Sequence, residues 1–107
     1  METRAPDTLE MIEKQIAEYP LILYMKGTPE QPCCGFSARA VQALKACGTK
    51  FAHVNILENP DIRRELPRYS NWPTFPQLYY KGELIGGCDI IEQLYKTGKL
   101  KEKVSET

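Results

Sequence analysis

Residues 21–48, LILYMKGTPEQPCCGFSARAVQALKACG, contain the pattern that decides the fold. The continuous apolar run at residues 21–25 is short enough for a buried β-strand. Residues 27–33 contain a glycine and two prolines, which predict a loop. Apolar residues then recur at helical spacing over residues 36–47, and Gly48 is suited to end a helix. This segment therefore predicts a strand, a loop and a helix in succession.

Further elements are predicted on both sides of this segment. Apolar positions at helical spacing predict a helix over residues 7–18, with Asp7 as its cap. The elements predicted after the central helix are, in chain order, a strand over residues 51–57, a helix capped by Asn59 that Pro67 ends or bends, a hairpin within residues 76–81 and 83–87, a helix capped by Asp89 that ends at Gly98, and a short helix over residues 99–105.

This order of elements predicts the fold class. A strand–helix–strand unit predicts a parallel strand pair joined by a right-handed crossover, and the later hairpin adds an antiparallel pair. We therefore predict an α/β fold with a four-stranded mixed sheet flanked by helices. The length of 107 residues suits a single domain over residues 1–107, with its ordered core at about residues 8–105.

The composition excludes several classes of function. Lys and Arg together number 14, as do Asp and Glu, so the formal net charge is zero. This balance predicts no electrostatic attraction to nucleic acid or to an anionic membrane. No apolar run approaches the roughly 20 residues that span a bilayer. The N-terminus lacks the apolar centre of a secretory signal and carries acidic residues, so we expect a cytoplasmic protein.

The four cysteines are not expected to form a structural disulfide framework, because the cytoplasm keeps thiols reduced. Paired Cys-x-x-Cys zinc motifs are absent from the sequence, and the single histidine, His53, has no ligand-like neighbour at zinc spacing. Cys47, near the end of a predicted helix, is best explained as a small buried apolar residue.

Cys34 differs from the other cysteines because it precedes a predicted helix. Unpaired backbone N–H groups and the positive end of the helix dipole stabilise a thiolate at such a position. A helix terminus contributes about 0.3–1 kcal/mol at an exposed site, which is less than one pKa unit. A nearby cation must therefore add to it, and Lys26 at the end of the preceding strand is the candidate.

Four separated motifs resemble those of the monothiol glutaredoxins, most closely the single-domain CGFS class found in bacteria. The motifs are KGTPEQP at residues 26–32, CGFS at residues 34–37, NWPTFPQL at residues 71–78 and GGCD at residues 86–89. The resemblance covers about residues 8–105 and implies a thioredoxin-like fold, which agrees with the predicted order of elements.

The resemblance also implies roles for individual residues. It makes Cys34 the active thiol and a metal ligand. The residues that it assigns to glutathione are Lys26 and Arg63 for the glycine carboxylate, Thr74, Phe75 and a cis Pro76 for the cysteine moiety, and Cys88 and Asp89 for the γ-glutamyl end. Arg64 adjoins Arg63, and the resemblance leaves its part open.

Each of these residues also has a simpler explanation when it is considered alone. The alternatives are that Lys26 and Arg63 are ordinary surface cations, that Pro76 is a trans edge-strand proline, that Gly86 and Gly87 form a bulge, that Asp89 is only a helix cap, and that Phe36 and Trp72 are core residues. Their joint occurrence in the expected order favours the functional explanation.

The sequence departs from the family at Cys33, where a serine or another small residue is common. Cys33 is expected to be inert or weakly modulating. The alternative is a second reactive thiol beside Cys34, although a disulfide between adjacent residues requires strained geometry.

The first functional hypothesis is a module that binds an iron–sulfur cluster. With serine at position 37, Cys34 lacks the resolving cysteine of a Cys-x-x-Cys enzyme, but a thiolate is a suitable ligand for such clusters. The resemblance implies a [2Fe–2S] cluster held by Cys34 and glutathione from each of two chains, hence a cluster-bound homodimer and an apo monomer. It also implies BolA-type proteins and iron–sulfur acceptor apoproteins as partners, in cluster storage or transfer and iron homeostasis.

The alternative hypothesis is a glutathione-dependent thiol–disulfide oxidoreductase. Cys34 would remove glutathione from a protein mixed disulfide, and free glutathione would resolve the product. Cys88 would be an internal resolving thiol if it lies close enough to Cys34. The extended loop before Cys34 resembles the class in which this activity is weak.

Overall fold

The structure is a computed structural model that describes the backbone of residues 4–104 and the side chains of residues 8–104. Its elements, in chain order, are α1 (Arg4–Glu18), β1 (Leu21–Met25), α2 (Gly35–Ala46), β2 (Ala52–Asn55), α3 (Pro60–Ser70), β3 (Gln77–Tyr80), β4 (Glu83–Gly86), α4 (Cys88–Lys96) and α5 (Lys99–Val104).

The four strands form one mixed sheet in the order β2–β1–β3–β4. Strand β1 pairs in parallel with β2, so that Leu23 lies opposite His53. It pairs antiparallel with β3 on its other side, where Leu23 lies opposite Leu78, and β3 pairs antiparallel with β4. The predicted four-stranded mixed sheet is therefore confirmed, and its parallel pair is joined through α2.

Every residue of β1 is buried, because helices cover both faces of the sheet. Alternate side chains of β1 enter two separate cores. Leu21, Leu23 and Met25 pack with residues of α2, α4 and α5, whereas Ile22 and Tyr24 pack with residues of α1 and α3. Strand β1 is thus held from both sides, which fixes the position of the loop that follows it.

Two predicted helix starts differ from the structure. Helix α1 begins at Arg4, three residues before the predicted cap, so Asp7 lies inside the helix. Helix α4 is capped by Gly87, and Asp89 lies in its first turn rather than at the cap. The helix dipole favours an acidic residue both at the cap and in the first turn. An Asp therefore does not show which of the two positions it occupies, and the predicted start of α4 was too late.

Pro67 was predicted to end or bend α3, and the structure shows that it does not end the helix. The helix continues through Pro67 to Ser70, and it begins at Pro60 after Asn59, as predicted. It ends at Asn71, which adopts a left-handed conformation with φ of 56° and donates its backbone N–H to the carbonyl of Pro67. Strand β2, at residues 52–55, is shorter than the predicted 51–57.

The remaining boundaries agree with prediction to within one or two residues. In residues 4–104, no helix is both long enough and apolar enough to cross a lipid bilayer. The last residue predicted for the final helix, at position 105, lies outside the described range.

Candidate functional site

Cys34 is the N-cap residue of α2. Its backbone is extended, with φ of −155° and ψ of 157°, and its Sγ accepts a hydrogen bond from the backbone N–H of Ser37 at 3.4 Å. The sulfur therefore occupies the place of the oxygen in an ordinary N-cap side chain and engages a donor that the helix leaves free.

The Ser37 hydroxyl provides a second contact to the same sulfur. Ser37 is completely buried, and its Oγ lies 3.4 Å from Cys34 Sγ. The same Oγ accepts the backbone N–H of Lys26 at 3.1 Å. Because one side of the oxygen is occupied by this N–H, the hydroxyl proton is available for donation to a thiolate at Cys34.

The environment of Cys34 lowers the pKa of its thiol. Partial burial acts in the opposite direction and is the largest single influence. It is outweighed together by the Ser37 hydroxyl, the backbone N–H groups of Ser37 and Phe36, and the charge of Lys26. The structure thus supports the expected thiolate at Cys34, and hydrogen bonding lowers the pKa more than the charge of Lys26 does.

The loop between β1 and α2 folds back on itself before Cys34. The backbone N–H of Cys33 donates to the carbonyl of Lys26 at 2.8 Å. Gly27 adopts φ of +94°, and a Cβ there would lie 2.5 Å from the carbonyl oxygen of Gln31, so only glycine fits. This arrangement keeps Lys26 and Cys34 at neighbouring ends of a short, closed loop.

A cavity of about 680 Å³ lies beside this loop. Its lining comes from the end of β1, the start of α2, α3, the segment before β3 and the start of α4, and consists of Lys26, Phe36, Arg63, Pro67, Trp72, Pro73, Thr74, Phe75, Pro76, Gly87, Cys88, Asp89 and Ile90. The peptide bond between Phe75 and Pro76 is cis.

Residues far apart in the sequence are thus brought to one cavity. Seven of the eight residues assigned to the site, all except Cys34, contribute to its lining. Cys34 stands next to the lining, because Phe36, two residues after it, lines the cavity. The roles assigned to these residues stay predictions.

The structure distinguishes the two adjacent arginines of α3. Arg63 lines the cavity. Arg64 instead contacts Asp61 at 3.0 Å and Glu65 at 3.4 Å. Arg64 is therefore engaged within its own helix, and Arg63 is the arginine available to the cavity.

Cys88 is buried at the start of α4, and its thiol pKa is raised, first by burial and then by the charge of Glu92. It lines the same cavity as Asp89. A neutral thiol is the form favoured at this position, in contrast to Cys34.

The other two cysteines lie outside the cavity lining. Cys33 is exposed, with its Sγ 3.7 Å from the carbonyl oxygen of Gln31. Cys47 is partly buried and packs against the core, in agreement with its predicted apolar role, and burial raises the pKa of its thiol.

Sequence reasoning did not assign two aromatic residues of the cavity to the site. Phe36 is 57% exposed beside Cys34, so it is not the core residue considered as an alternative. Trp72 lies between α3 and the cis peptide bond and forms part of the wall. The WP pair directly before the TFP segment was the available signal, because residues flanking a functional turn tend to line the same site.

Comparison with known proteins assigns the chain to a family. The glutaredoxin family profile matches residues 21–85. Glutaredoxin 4 of Escherichia coli K12 is 63% identical over 100 residues, covering 94% of this chain and 87% of the relative. This chain belongs to the glutaredoxin family. Glutaredoxin 4 of Buchnera aphidicola subsp. Schizaphis graminum is likewise 63% identical over 99 residues, covering 92% of each chain.

Solved structures confirm the thioredoxin-like fold of this glutaredoxin. Reduced apo GrxS14 from poplar superposes with a TM-score of 0.80 at 48% identity, covering 94% of this chain and 93% of that one. The buckwheat glutaredoxin–glutathione complex superposes with a TM-score of 0.85 over 99% of this chain and 94% of that one. At 21% identity, the buckwheat protein shows the shared fold alone.

Proposed function

We propose that this glutaredoxin is a monothiol CGFS-type protein that binds glutathione and a bridging [2Fe–2S] cluster, for cluster storage or transfer in iron homeostasis. The observation that carries the proposal is the pairing of Cys34 with Ser37. One thiol stands at the start of α2, and a buried serine that contacts its sulfur occupies the position of a second cysteine.

The chemistry of the cavity suits glutathione. Lys26 and Arg63 offer two positive charges for a carboxylate. Thr74, Phe75 and Pro76 offer backbone to the cysteine moiety, and the start of α4 at Cys88 and Asp89 offers unpaired N–H groups and a carboxylate to a γ-glutamyl end. The volume of about 680 Å³ is in the range of small-molecule sites.

The donor set at Cys34 also fits an iron–sulfur cargo. A thiolate is the protein ligand that such clusters require, and the lowered pKa of Cys34 favours that form. One chain offers one such thiolate at this place. Four ligands would therefore come from Cys34 and glutathione of two chains, giving a cluster-bound homodimer and an apo monomer. BolA-type proteins and iron–sulfur acceptor apoproteins are the proposed partners.

The second candidate is deglutathionylation, which the stabilised thiolate of Cys34 favours. In this reaction the Cys34 thiolate attacks the glutathione sulfur of a protein mixed disulfide and releases the protein thiolate, which takes up a proton. A second glutathione thiolate then attacks the Cys34–glutathione disulfide, which yields oxidised glutathione and restores Cys34. The oxidant is the mixed disulfide and the reductant is glutathione.

One experiment separates the two functions. The purified protein is incubated anaerobically with iron, sulfide and glutathione, and its visible absorbance and iron content are measured. The same preparation is assayed for turnover of a glutathionylated peptide. A coloured product with two irons per dimer and slow turnover supports the cluster-binding function. A colourless product with rapid turnover contradicts it and supports the oxidoreductase.

A further inference from the structure

Trp72 carries an unused hydrogen-bond donor in the wall of the cavity. Its indole nitrogen Nε1 is buried, and it is the buried side-chain nitrogen or oxygen within the described residues that has no hydrogen-bond partner. Buried donors in folded proteins are nearly always paired, so an unpaired one requires an explanation.

The backbone of Trp72 is fixed on both sides. Its N–H contacts the carbonyl of Pro67 at 3.2 Å and the hydroxyl of Ser70 at 3.1 Å. Its carbonyl accepts the side-chain amide of Gln77 at 2.8 Å. The backbone N–H and carbonyl of Trp72 are therefore both hydrogen-bonded. The indole can change its orientation only by rotation about the side-chain torsions.

Gly87 packs closely against the indole. A Cβ at this position would lie 3.3 Å from Trp72 Nε1 and 3.3 Å from the carbonyl oxygen of Pro76. Gly87 has φ of −100°, a conformation open to most residues, so its backbone does not require glycine. Close approach to the indole and to this carbonyl is the remaining reason for the absence of a side chain.

The unpaired donor and Gly87 lie next to the residues assigned to one end of the ligand. Gly87 directly precedes Cys88 and Asp89, and all three line the same cavity as Trp72. We propose that the Trp72 indole N–H is a ligand-binding donor, which turns to an oxygen of the γ-glutamyl part of the bound tripeptide. The proposal rests on the proposed function, in which this cavity binds glutathione.

The indole N–H exchanges an unpaired state in the free protein for a paired state in the complex. In the free protein the indole N–H has lost its water without gaining a partner, and this raises the free energy of the unliganded state. A carbonyl or carboxylate oxygen that enters beside Gly87 removes this cost when it accepts the N–H. Because the nitrogen is covered in this structure, binding must be accompanied by rotation of the indole.

The chain contains one tryptophan, so its indole N–H gives a single, unambiguous NMR resonance. We would titrate ¹⁵N-labelled protein with reduced glutathione and follow this resonance beside the backbone amides of Lys26 and Asp89. The expected result is a downfield shift of the indole proton that follows the same binding curve as both amides. Titration with γ-glutamylcysteine should produce the same indole shift, because it keeps the γ-glutamyl end.

Two variants test the contact itself. Trp72→Phe keeps an aromatic ring but removes the donor. It should lower the affinity for glutathione about three- to tenfold, as expected for one hydrogen bond. Gly87→Ala should lower this affinity similarly, because the added Cβ would press on the indole. Tyr95→Phe is the matched control: it removes a polar group from an exposed aromatic residue of α4 outside the cavity lining, and its affinity should equal that of the wild type.

The outcomes separate this proposal from the proposed function. If the amides of Lys26 and Asp89 shift on saturation while the wild-type indole resonance does not move, glutathione binds and the role of Trp72 is overturned. If no resonance shifts, the cavity does not bind glutathione and both proposals are overturned. The wild-type titration decides the question even if Trp72→Phe fails to fold.

Discussion

Ser37 Oγ lies 3.4 Å from Cys34 Sγ and receives the backbone N–H of Lys26 on its other side. The position that holds a second cysteine in a Cys-x-x-Cys enzyme thus holds a buried donor that contacts the first sulfur. Replacement of cysteine by serine removes an internal disulfide as a possible state and adds a hydrogen bond that favours the thiolate.

Cys34→Ser should abolish both cluster binding and glutathione exchange, because a serine hydroxyl does not ionise near pH 7 to replace the thiolate. Visible absorbance after anaerobic reconstitution measures the first effect, and mass spectrometry after exposure to oxidised glutathione measures the second. Cys33→Ser and Cys47→Ser are the controls and should retain the cluster. Normal reconstitution of Cys34→Ser would show that the site is wrongly assigned.

Ser37→Ala should raise the pKa of Cys34, because it removes the hydroxyl that donates to the thiolate. The pKa is lowered in the wild type, so the thiolate persists to lower pH there. At a pH between the two pKa values, the variant should therefore react several-fold more slowly with iodoacetamide. The measurement is the alkylation rate from pH 5 to pH 10. Coincident profiles of the two proteins would exclude this role for the hydroxyl.

Ser37→Cys should restore Cys-x-x-Cys spacing and increase turnover of glutathionylated peptides. It should also make the cluster more labile, since an internal disulfide becomes a competing state. The decay of visible absorbance in air and the peptide turnover are measured on the same preparation. Unchanged turnover, with Cys34 shown to be reactive by alkylation, would contradict the argument from the missing partner.

Lys26→Ala combined with Arg63→Ala should lower the affinity for glutathione by about one to a few powers of ten. Charge-assisted hydrogen bonds contribute about 1.5–3 kcal/mol each, less where solvent screens them, and tenfold in affinity corresponds to about 1.4 kcal/mol. Calorimetry of the apo protein measures the affinity, and circular dichroism checks the fold.

Arg64→Ala is the matched control for this double variant, because Arg64 adjoins Arg63 but contacts Asp61 and Glu65. Its affinity for glutathione should equal that of the wild type. If Arg64→Ala weakened binding as much as Arg63→Ala alone, the distinction between the two arginines would be wrong.

The sequence predicted most of the fold because the decisive signals are local. The five apolar residues of β1, the helical spacing before Gly48 and the hairpin around Gly82 each determine an element through backbone preference and burial. Pro67 shows where this reasoning left two outcomes open, an end or a bend of the helix. A proline removes one helical hydrogen bond, yet α3 continues to Ser70, and the left-handed conformation of the next residue, Asn71, ends it.

The site was predictable where a motif fixes the residue and not where three-dimensional contacts choose between neighbours. The resemblance assigned Arg63 and left Arg64 open, and the structure separates the two, since Arg63 lines the cavity and Arg64 forms ion pairs with Asp61 and Glu65. The contact of Ser37 with both Lys26 and Cys34 joins a strand end to a helix start, and it required the structure. The unpaired indole N–H of Trp72 likewise required the structure, because it depends on how the ring packs against Gly87.

In the proposed function, glutathione is a structural part of the cluster-bound dimer. The most direct test of this claim is size-exclusion chromatography with visible absorbance, performed on reconstituted protein across a glutathione titration. We expect the dimer and the visible absorbance to disappear together as glutathione is removed. The Lys26→Ala/Arg63→Ala variant should need far more glutathione to retain the dimer and the cluster. A dimer that keeps its cluster equally well without glutathione, in the wild type and the double variant alike, would contradict the account and indicate ligation by protein side chains alone.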